Sequence, residues 1–241
     1  MKFNLPNVLT ILRLVAAPTL VLVYLVLPRP WADWTALVLF VSAAMTDYLD
    51  GLLARRWMQV TAFGKMLDPI ADKAMTIIAL VMLTVLLLRD GRVITYPYPP
   101  QNYVAFGDWI LIVPVMMVIF REIFVSGLRE FIGKESKNLA VTQLAKWKTA
   151  AQMSAVIVLF SFLLFEHYFG VLSFAMEREF VAEVIAGREE DLFGLRWKYT
   201  GWVYSYNLGM ALLWMAGVLT LVTGIDYFRK ALPFIRDGEA K

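Results

Sequence analysis

Long apolar runs alternate with shorter polar links along this chain, and the lengths of the runs indicate its fold class. A helix needs roughly 20 mostly apolar residues to cross a hydrocarbon core of about 30 Å. By apolar length we predict six membrane-spanning helices, at residues 8–27, 35–54, 68–88, 107–128, 149–170 and 203–224. The expected fold is therefore all-α, with residues 1–241 forming one polytopic membrane domain.

The links between these runs carry their own signals. Pro28-Arg29-Pro30 predicts a helix stop, because proline lacks an amide donor and disfavours helix in the residue before it. The longest link, 171–201, is charged and partly amphipathic, and we expect it to lie at the membrane surface. The link at 89–107 is rich in tyrosine and proline.

Composition supports a membrane protein and excludes several chemistries. Hydrophobic residues make up 60% of the chain and charged residues 18%, whereas soluble domains average about 45–50% and about 25%. The formal net charge of +3 gives no reason to expect nucleic acid as a partner. The chain has no cysteine, and His167 is its single histidine. The absence of cysteine excludes disulfides and thiolate metal sites, and a single histidine cannot supply a metal site built from several histidines.

Lysine and arginine near the ends of the predicted spans indicate an orientation, since they concentrate on the cytoplasmic side. The side that holds both termini carries Lys2, Arg55, Arg56, Lys65, Arg129, Lys134, Lys137, Lys146, Lys148, Arg229, Lys230 and Arg236. The other side carries a smaller set. We therefore expect both termini in the cytoplasm.

Four aspartates stand at the adjoining ends of the second and third predicted spans. Asp47 and Asp50 share one face of a helix, and Asp68 and Asp72 share a face of the next. A single aspartate within a span costs roughly 2.5–3.5 kcal/mol, so four near one membrane edge predict a neutralising cation. The link between the two spans is short, and we expect these helices to be direct antiparallel neighbours.

The residue types around this cluster narrow the ligand. Oxygen ligands without cysteine or histidine favour Mg²⁺, Mn²⁺ or Ca²⁺ over zinc, and two such ions could bridge a diphosphate. Gly51 and Gly64 leave room for a ligand close to the backbone, and Arg55 offers a planar fork suited to phosphate. Asp68-Pro69 has a second interpretation, an N-cap followed by proline at the first helical position.

The complete pattern resembles the signature of the CDP-alcohol phosphotransferase family. Its residues are Asp47, Asp50, Gly51, Ala54, Arg55, Gly64, Asp68 and Asp72, in the rigid spacing of that signature. The resemblance implies six spans and two metal ions, Mg²⁺ or Mn²⁺, held by the aspartates. It implies that Asp72 takes the proton of the acceptor hydroxyl, or is a metal ligand. It also implies that Gly51, Ala54, Arg55 and Gly64 line the site of the CDP-linked lipid.

Further polar residues bear on the acceptor. Arg121 lies in the fourth predicted span, and Lys146 and Lys148 lie at the start of the fifth. Such cations suit an acceptor that carries its own phosphate, whereas serine or choline would not need them. Membrane anchoring of the lysines and a local pair between Arg121 and Glu122 are the alternatives.

These stretches and the opening NLPNVLTILR are similar, over roughly residues 3–160, to the bacterial phosphatidylglycerophosphate synthases. The similarity implies transfer from CDP-diacylglycerol to sn-glycerol 3-phosphate, in the inner (cytoplasmic) membrane, by a homodimer whose active site faces the cytoplasm. In the N-terminal motif, Asn7 and Thr10 would approach the nucleotide; Arg13 would do so or anchor the membrane edge. A synthase of cardiolipin or phosphatidylinositol phosphate is the alternative within the family. A cation transporter with an aspartate-lined path is the alternative outside it.

Overall fold

The computed structural model describes residues 5–56, 61–88, 108–133 and 143–239, and side chains at 7–47, 61, 63, 64, 66–88, 108–133 and 143–235. These residues form seven helices and no strand. The helices are α1 (Leu5–Val26), α2 (Trp31–Arg56), α3 (Ala62–Leu88), α4 (Trp109–Ile132), α5 (Gln143–Ser173), α6 (Arg178–Ala186) and α7 (Leu195–Glu239). The expected all-α polytopic membrane fold is confirmed.

Five of the described helices, α1, α3, α4, α5 and α7, are long and apolar enough to cross a membrane. The predicted span at 35–54 lies within α2, but the side chains of its last residues are not described. That sixth span therefore stays a prediction. The predicted link at 89–107 lies outside the described residues.

Helix ends differ from the ends of the predicted spans, and the differences at α3 and α7 have structural causes. α3 begins at Ala62, so Asp68 lies inside the helix and is not its N-cap, and Pro69 is accommodated within it. α7 begins at Leu195, because the Asp191 carboxylate accepts the backbone amides of Leu195 (2.6 Å) and Arg196 (3.0 Å). The link between α5 and α7 is thus shorter than predicted, and it contains α6.

Packing is centred on α1 and α7. α5 and α4 both pack along α7, while α1 packs along α2 and α3. Among the described residues α2 and α3 contact each other less extensively than each contacts α1, so our expectation that they are direct neighbours is only partly right. α1 lies against both of them, and it carries polar side chains that reach the carboxylates of each.

At the end of the bundle away from those carboxylates, Arg29 joins the α1–α2 link to α5. Its Nε donates to Asp33 Oδ2 (2.6 Å), Nη1 to Glu166 Oε2 (3.2 Å) and Nη2 to the Leu163 carbonyl (2.6 Å). Burial alone would lower the pKa of Arg29, but the carboxylates of Asp33 and Glu166 raise it above its ordinary value. This cluster fixes the break that Pro28-Arg29-Pro30 introduces.

Candidate active site

A cavity of about 390 Å³ opens among α2, α3, α4 and α5. The carboxylates of Asp47, Asp68 and Asp72 lie on its lining, as the predicted cluster required. The same lining carries basic side chains, Lys73, Arg129 and Lys148. The cavity therefore combines groups that bind a cation with groups that bind an anion.

The first helix supplies the contacts that order the carboxylates. The Arg13 guanidinium is buried, and its Nη1 donates to Asp47 Oδ1 at 2.6 Å and also to Asp72 Oδ1. Thr10, one turn earlier, donates its hydroxyl to Asp68 Oδ1 at 2.6 Å. Positions 10 and 13 share a helix face, so one stripe of α1 contacts aspartates on both α2 and α3.

Gly64 lies where α1 approaches the start of α3. Thr61 donates its hydroxyl to Asn7 Oδ1 at 2.8 Å and accepts the amide of Gly64 at 3.0 Å. A Cβ on Gly64 would lie 2.8 Å from Asn7 Oδ1 and 3.9 Å from Asp68 Oδ2. An alanine at position 64 would therefore have to displace the Asn7 side chain.

The basic wall of the cavity is formed by Lys73, Arg129 and Lys148, and Glu122 on α4 lies among them. Its Oε1 accepts from Arg121 Nη1 at 3.0 Å and from Lys148 Nζ on α5. Lys73 on α3 donates to the Ser126 hydroxyl, which in turn donates to the Glu122 carbonyl. Only 8% of the Lys148 side chain is exposed, so its charge is compensated by Glu122 within the protein.

The structure separates the three cations that the sequence assigned to the acceptor. Lys148 lies on the cavity lining. Arg121 is absent from that lining and borders an apolar cleft of about 220 Å³ between α4 and α7, although its guanidinium contacts Glu122. Lys146 is exposed and likewise absent from the lining. The roles of all three stay predictions.

Among the remaining predicted site residues, Asn7 and Thr10 are buried behind the carboxylates. Asp50, Gly51, Ala54 and Arg55 belong to α2, but their side chains lie outside the described residues.

Sequence reasoning did not assign Lys73, Arg129 or Gln152 to the site, although all three line the cavity. Two of them follow assigned residues on the same chain segment. Lys73 comes directly after Asp72, and Gln152 lies one helical turn beyond Lys148. Arg129 shares a stripe with Glu122, two turns away. Helical spacing makes Gln152 and Arg129 candidates, whereas Lys73, one residue after Asp72, faces a different direction from it. Which of them reach the cavity depends on how the helices are rotated against one another.

The donor set suits a hard divalent ion, since the described carboxylates offer oxygen ligands only. Within the side chains that the structure describes, no three acidic or histidine residues converge closely enough to hold a metal unaided. Arg13 instead provides the positive charge between Asp47 and Asp72. The guanidinium therefore offsets part of the negative charge of these two carboxylates.

Several known proteins are similar to this chain over most of its length. The sequence profile described as CDP-alcohol phosphatidyltransferase matches residues 3–185. A protein of Cereibacter sphaeroides is 47% identical over 237 residues, covering 98% of this chain and 99% of its own. One from Shigella flexneri is 38% identical over 234 residues, covering 96% of each chain. One from Escherichia coli is 40% identical over 159 residues, covering 65% of this chain and 76% of its own. All three are named CDP-diacylglycerol–glycerol-3-phosphate 3-phosphatidyltransferase. This chain therefore belongs to the CDP-alcohol phosphatidyltransferase family.

Proposed function

We propose that this protein transfers a phosphatidyl group from CDP-diacylglycerol to sn-glycerol 3-phosphate, giving phosphatidylglycerophosphate and CMP. The observation that carries the proposal is the cavity in which Asp47, Asp68 and Asp72 face Lys73, Arg129 and Lys148. The name of the 47%-identical relative, which spans nearly the whole chain, supports the same reaction.

The proposed site of the donor and its metal is the carboxylate wall of the cavity, which is formed by Asp47, Asp68 and Asp72. Asp47, Asp68 and Asp72, together with Asp50, would hold one or two Mg²⁺ or Mn²⁺ ions. When bound, such ions neutralise diphosphate charge and stabilise the attacking and leaving oxygens. Asn7, Thr10 and Gly64 support this wall from behind, and Gly51, Ala54 and Arg55 complete the proposed CDP-lipid site. Full turnover in excess EDTA would contradict the metal assignment.

Asp72 is the proposed base. It would accept the proton of an acceptor hydroxyl while that oxygen forms a bond to the lipid-bearing phosphorus. The bond from this phosphorus to the CMP oxygen breaks, and CMP leaves with the electron pair. Its exposure on the lining beside Lys73 supports this role, because the acceptor can approach it from the basic side of the cavity.

The basic wall is the proposed site of the acceptor phosphate. Lys73, Arg129 and Lys148 present three cations to the cavity, and a phosphate monoester carries the charge to compensate them. Arg121 would act through Glu122, which it shares with Lys148. Lys146, exposed at the start of α5, would attract the phosphate at longer range. Glu122 already compensates Lys148, so the acceptor phosphate would chiefly balance Lys73 and Arg129, which a neutral or cationic acceptor would not.

The cellular setting follows from the same charges. Arg129 and Lys148 belong to the lysine- and arginine-rich side of the membrane, so we propose that the cavity faces the cytoplasm from the inner membrane of a bacterium. A homodimer remains our expectation from the family resemblance. Crosslinking of the protein in native membranes would test it.

The reaction is tested by incubating purified protein with CDP-diacylglycerol and a panel of acceptors. We expect CMP release with sn-glycerol 3-phosphate and little with serine, choline, inositol phosphate or phosphatidylglycerol. Turnover with one of the others but not with glycerol 3-phosphate would overturn the choice of acceptor. Ion flux in proteoliposomes without CMP release would overturn the enzymatic function.

A further inference from the structure

The short connection between α6 and α7 presents large apolar side chains outside the protein core. Leu192 and Phe193 occupy the turn itself, and they are 78% and 55% exposed. Phe174, directly after α5, is 91% exposed, and Trp197, in the first turn of α7, is 60% exposed. Such side chains are normally removed from water, so their common exposure calls for an apolar neighbour.

This turn is held in place by several contacts. Asp191 accepts the two backbone amides at the start of α7, and Lys198 Nζ donates to the Phe193 carbonyl at 2.8 Å. The Lys198 ammonium also lies 4.6 Å from the Trp197 ring centroid. The exposure of Leu192 and Phe193 is therefore a consequence of an ordered turn.

α6, at the other end of the connection, packs against the protein core. Val181 and Val184 are buried in the core, and Arg196 donates to the Val184 carbonyl at 3.3 Å. α6 thus places its own apolar face inward and leaves the following turn outside.

The position of the turn relative to the membrane follows from α5. Lys148 lines the reaction cavity near one end of α5, and Ser173 ends the helix. The helical rise of about 1.5 Å per residue separates these residues by about 38 Å, more than a hydrocarbon core of about 30 Å. The connection therefore lies at the membrane surface opposite the cavity, tethered by spans that end at Ser173 and begin at Leu195.

The lipid-facing surface of α7 leads directly to this turn. Tyr204, Leu208 and Met215 are exposed on one stripe of a membrane-spanning helix, and Trp197 continues that stripe toward its start. Exposed charges, among them Arg188 and Glu189, precede the turn and suit the aqueous side of an interface. Aromatic and apolar side chains next to charges are the usual composition of a segment at the boundary between headgroups and acyl chains.

We infer that the Leu192–Phe193 turn, with Phe174 and Trp197, inserts into the lipid leaflet opposite the reaction cavity. It anchors the α6–α7 connection at the boundary between headgroups and acyl chains. The occupant of the turn's apolar surface is lipid, because Trp197 lies against Gly194 of the connection and continues the exposed stripe of the membrane-spanning helix α7.

The absence of cysteine from the chain allows a direct test. Single cysteines are introduced as Leu192→Cys and Phe193→Cys, with Glu189→Cys as the aqueous control and Leu208→Cys as the lipid-facing reference. Each variant of the full chain is spin-labelled and reconstituted in phosphatidylcholine–phosphatidylglycerol vesicles. Collision with oxygen, which concentrates in lipid, is compared with collision with a water-soluble nickel chelate.

We expect the oxygen-to-nickel collision ratio at 192 and 193 to exceed the ratio at 189 several-fold and to approach that at 208. A ratio at 192 and 193 equal to that at 189 would mean that the turn faces water. Low collision rates with both reagents would mean that a protein surface covers it. Either result would overturn the inference.

Discussion

The hydroxyl of Thr10 on α1 donates a 2.6 Å hydrogen bond to a carboxylate oxygen of Asp68 on α3. Thr10 is buried and Asp68 lines the cavity, so this bond orients a proposed metal ligand from behind. Hydrogen bonds to charged groups are worth about 1.5–3 kcal/mol. The first helix is therefore part of the candidate site, and its contribution can be measured.

Replacing Thr10 by alanine removes that bond. We expect Thr10→Ala to lower turnover by on the order of tenfold, through weaker orientation of Asp68, and Thr10→Ser to restore most of it. The assay is CMP release at saturating donor and acceptor. Thr19→Ala is the matched control, because Thr19 on the same helix donates only to the Val15 carbonyl. Equal activities of Thr10→Ala and the control would refute the role.

Asp72→Asn tests the proposed base. The amide keeps the size of the side chain but cannot take a proton, so we expect CMP release to fall by about 10²–10⁴-fold. Binding of the CDP-lipid should be partly retained, measured by equilibrium binding to the purified variant. Asp226→Asn is the control, since Asp226 is paired with Lys230 at an exposed position on α7. Near-normal turnover of Asp72→Asn would show that another group accepts the proton.

The two lysines at the start of α5 differ in their position relative to the cavity. Lys148 lines the cavity and contacts Glu122, whereas Lys146 is exposed. We expect Lys148→Gln to raise the KM for glycerol 3-phosphate by about tenfold or more, since one charge-assisted contact is lost. Lys146→Gln should raise it much less, and the exposed Lys230→Gln serves as the control. A larger effect at Lys146 than at Lys148 would contradict the assignment of the basic wall.

Gly64→Ala tests the close approach of α1 and α3. The added Cβ would lie 2.8 Å from Asn7 Oδ1, so we expect it to displace Asn7 and reduce CDP-lipid binding. Alanine favours helix by about 1 kcal/mol over glycine, so loss of helix propensity would not explain a fall in activity. Gly127→Ala is the control, because a Cβ there meets nothing within 4 Å. Activity and thermal stability of the two purified variants are compared. Unchanged donor KM in Gly64→Ala would contradict the expected clash.

The sequence predicts where the helices lie because apolar run length is a local property. All six predicted spans fall largely on helices, including 149–170 within α5. Helix ends depend on capping contacts that the apolar pattern does not contain. The carboxylate of Asp191 extends α7 to Leu195, ahead of the predicted start at 203.

The aspartate cluster was predictable for a similar reason, since a rigid local spacing carries it. Three of its four members line one cavity. The basic wall was harder to predict, because it depends on how α3, α4 and α5 are rotated against one another. That rotation turns Arg129 toward the cavity and Arg121 toward the α4–α7 cleft, although both belong to α4. This rotation is determined by side-chain packing between the helices, which the sequence of a single helix does not reveal.

The central claim is that one cavity joins a CDP-lipid to an acceptor that carries phosphate. The most direct measurement supplies purified protein with CDP-diacylglycerol and Mg²⁺, and with labelled sn-glycerol 3-phosphate or labelled glycerol at equal concentration. We predict labelled lipid and CMP in equal amounts from glycerol 3-phosphate, and neither from glycerol, because glycerol offers no phosphate to the wall of Lys73, Arg129 and Lys148. Comparable products from both acceptors, or none from glycerol 3-phosphate, would contradict the claim.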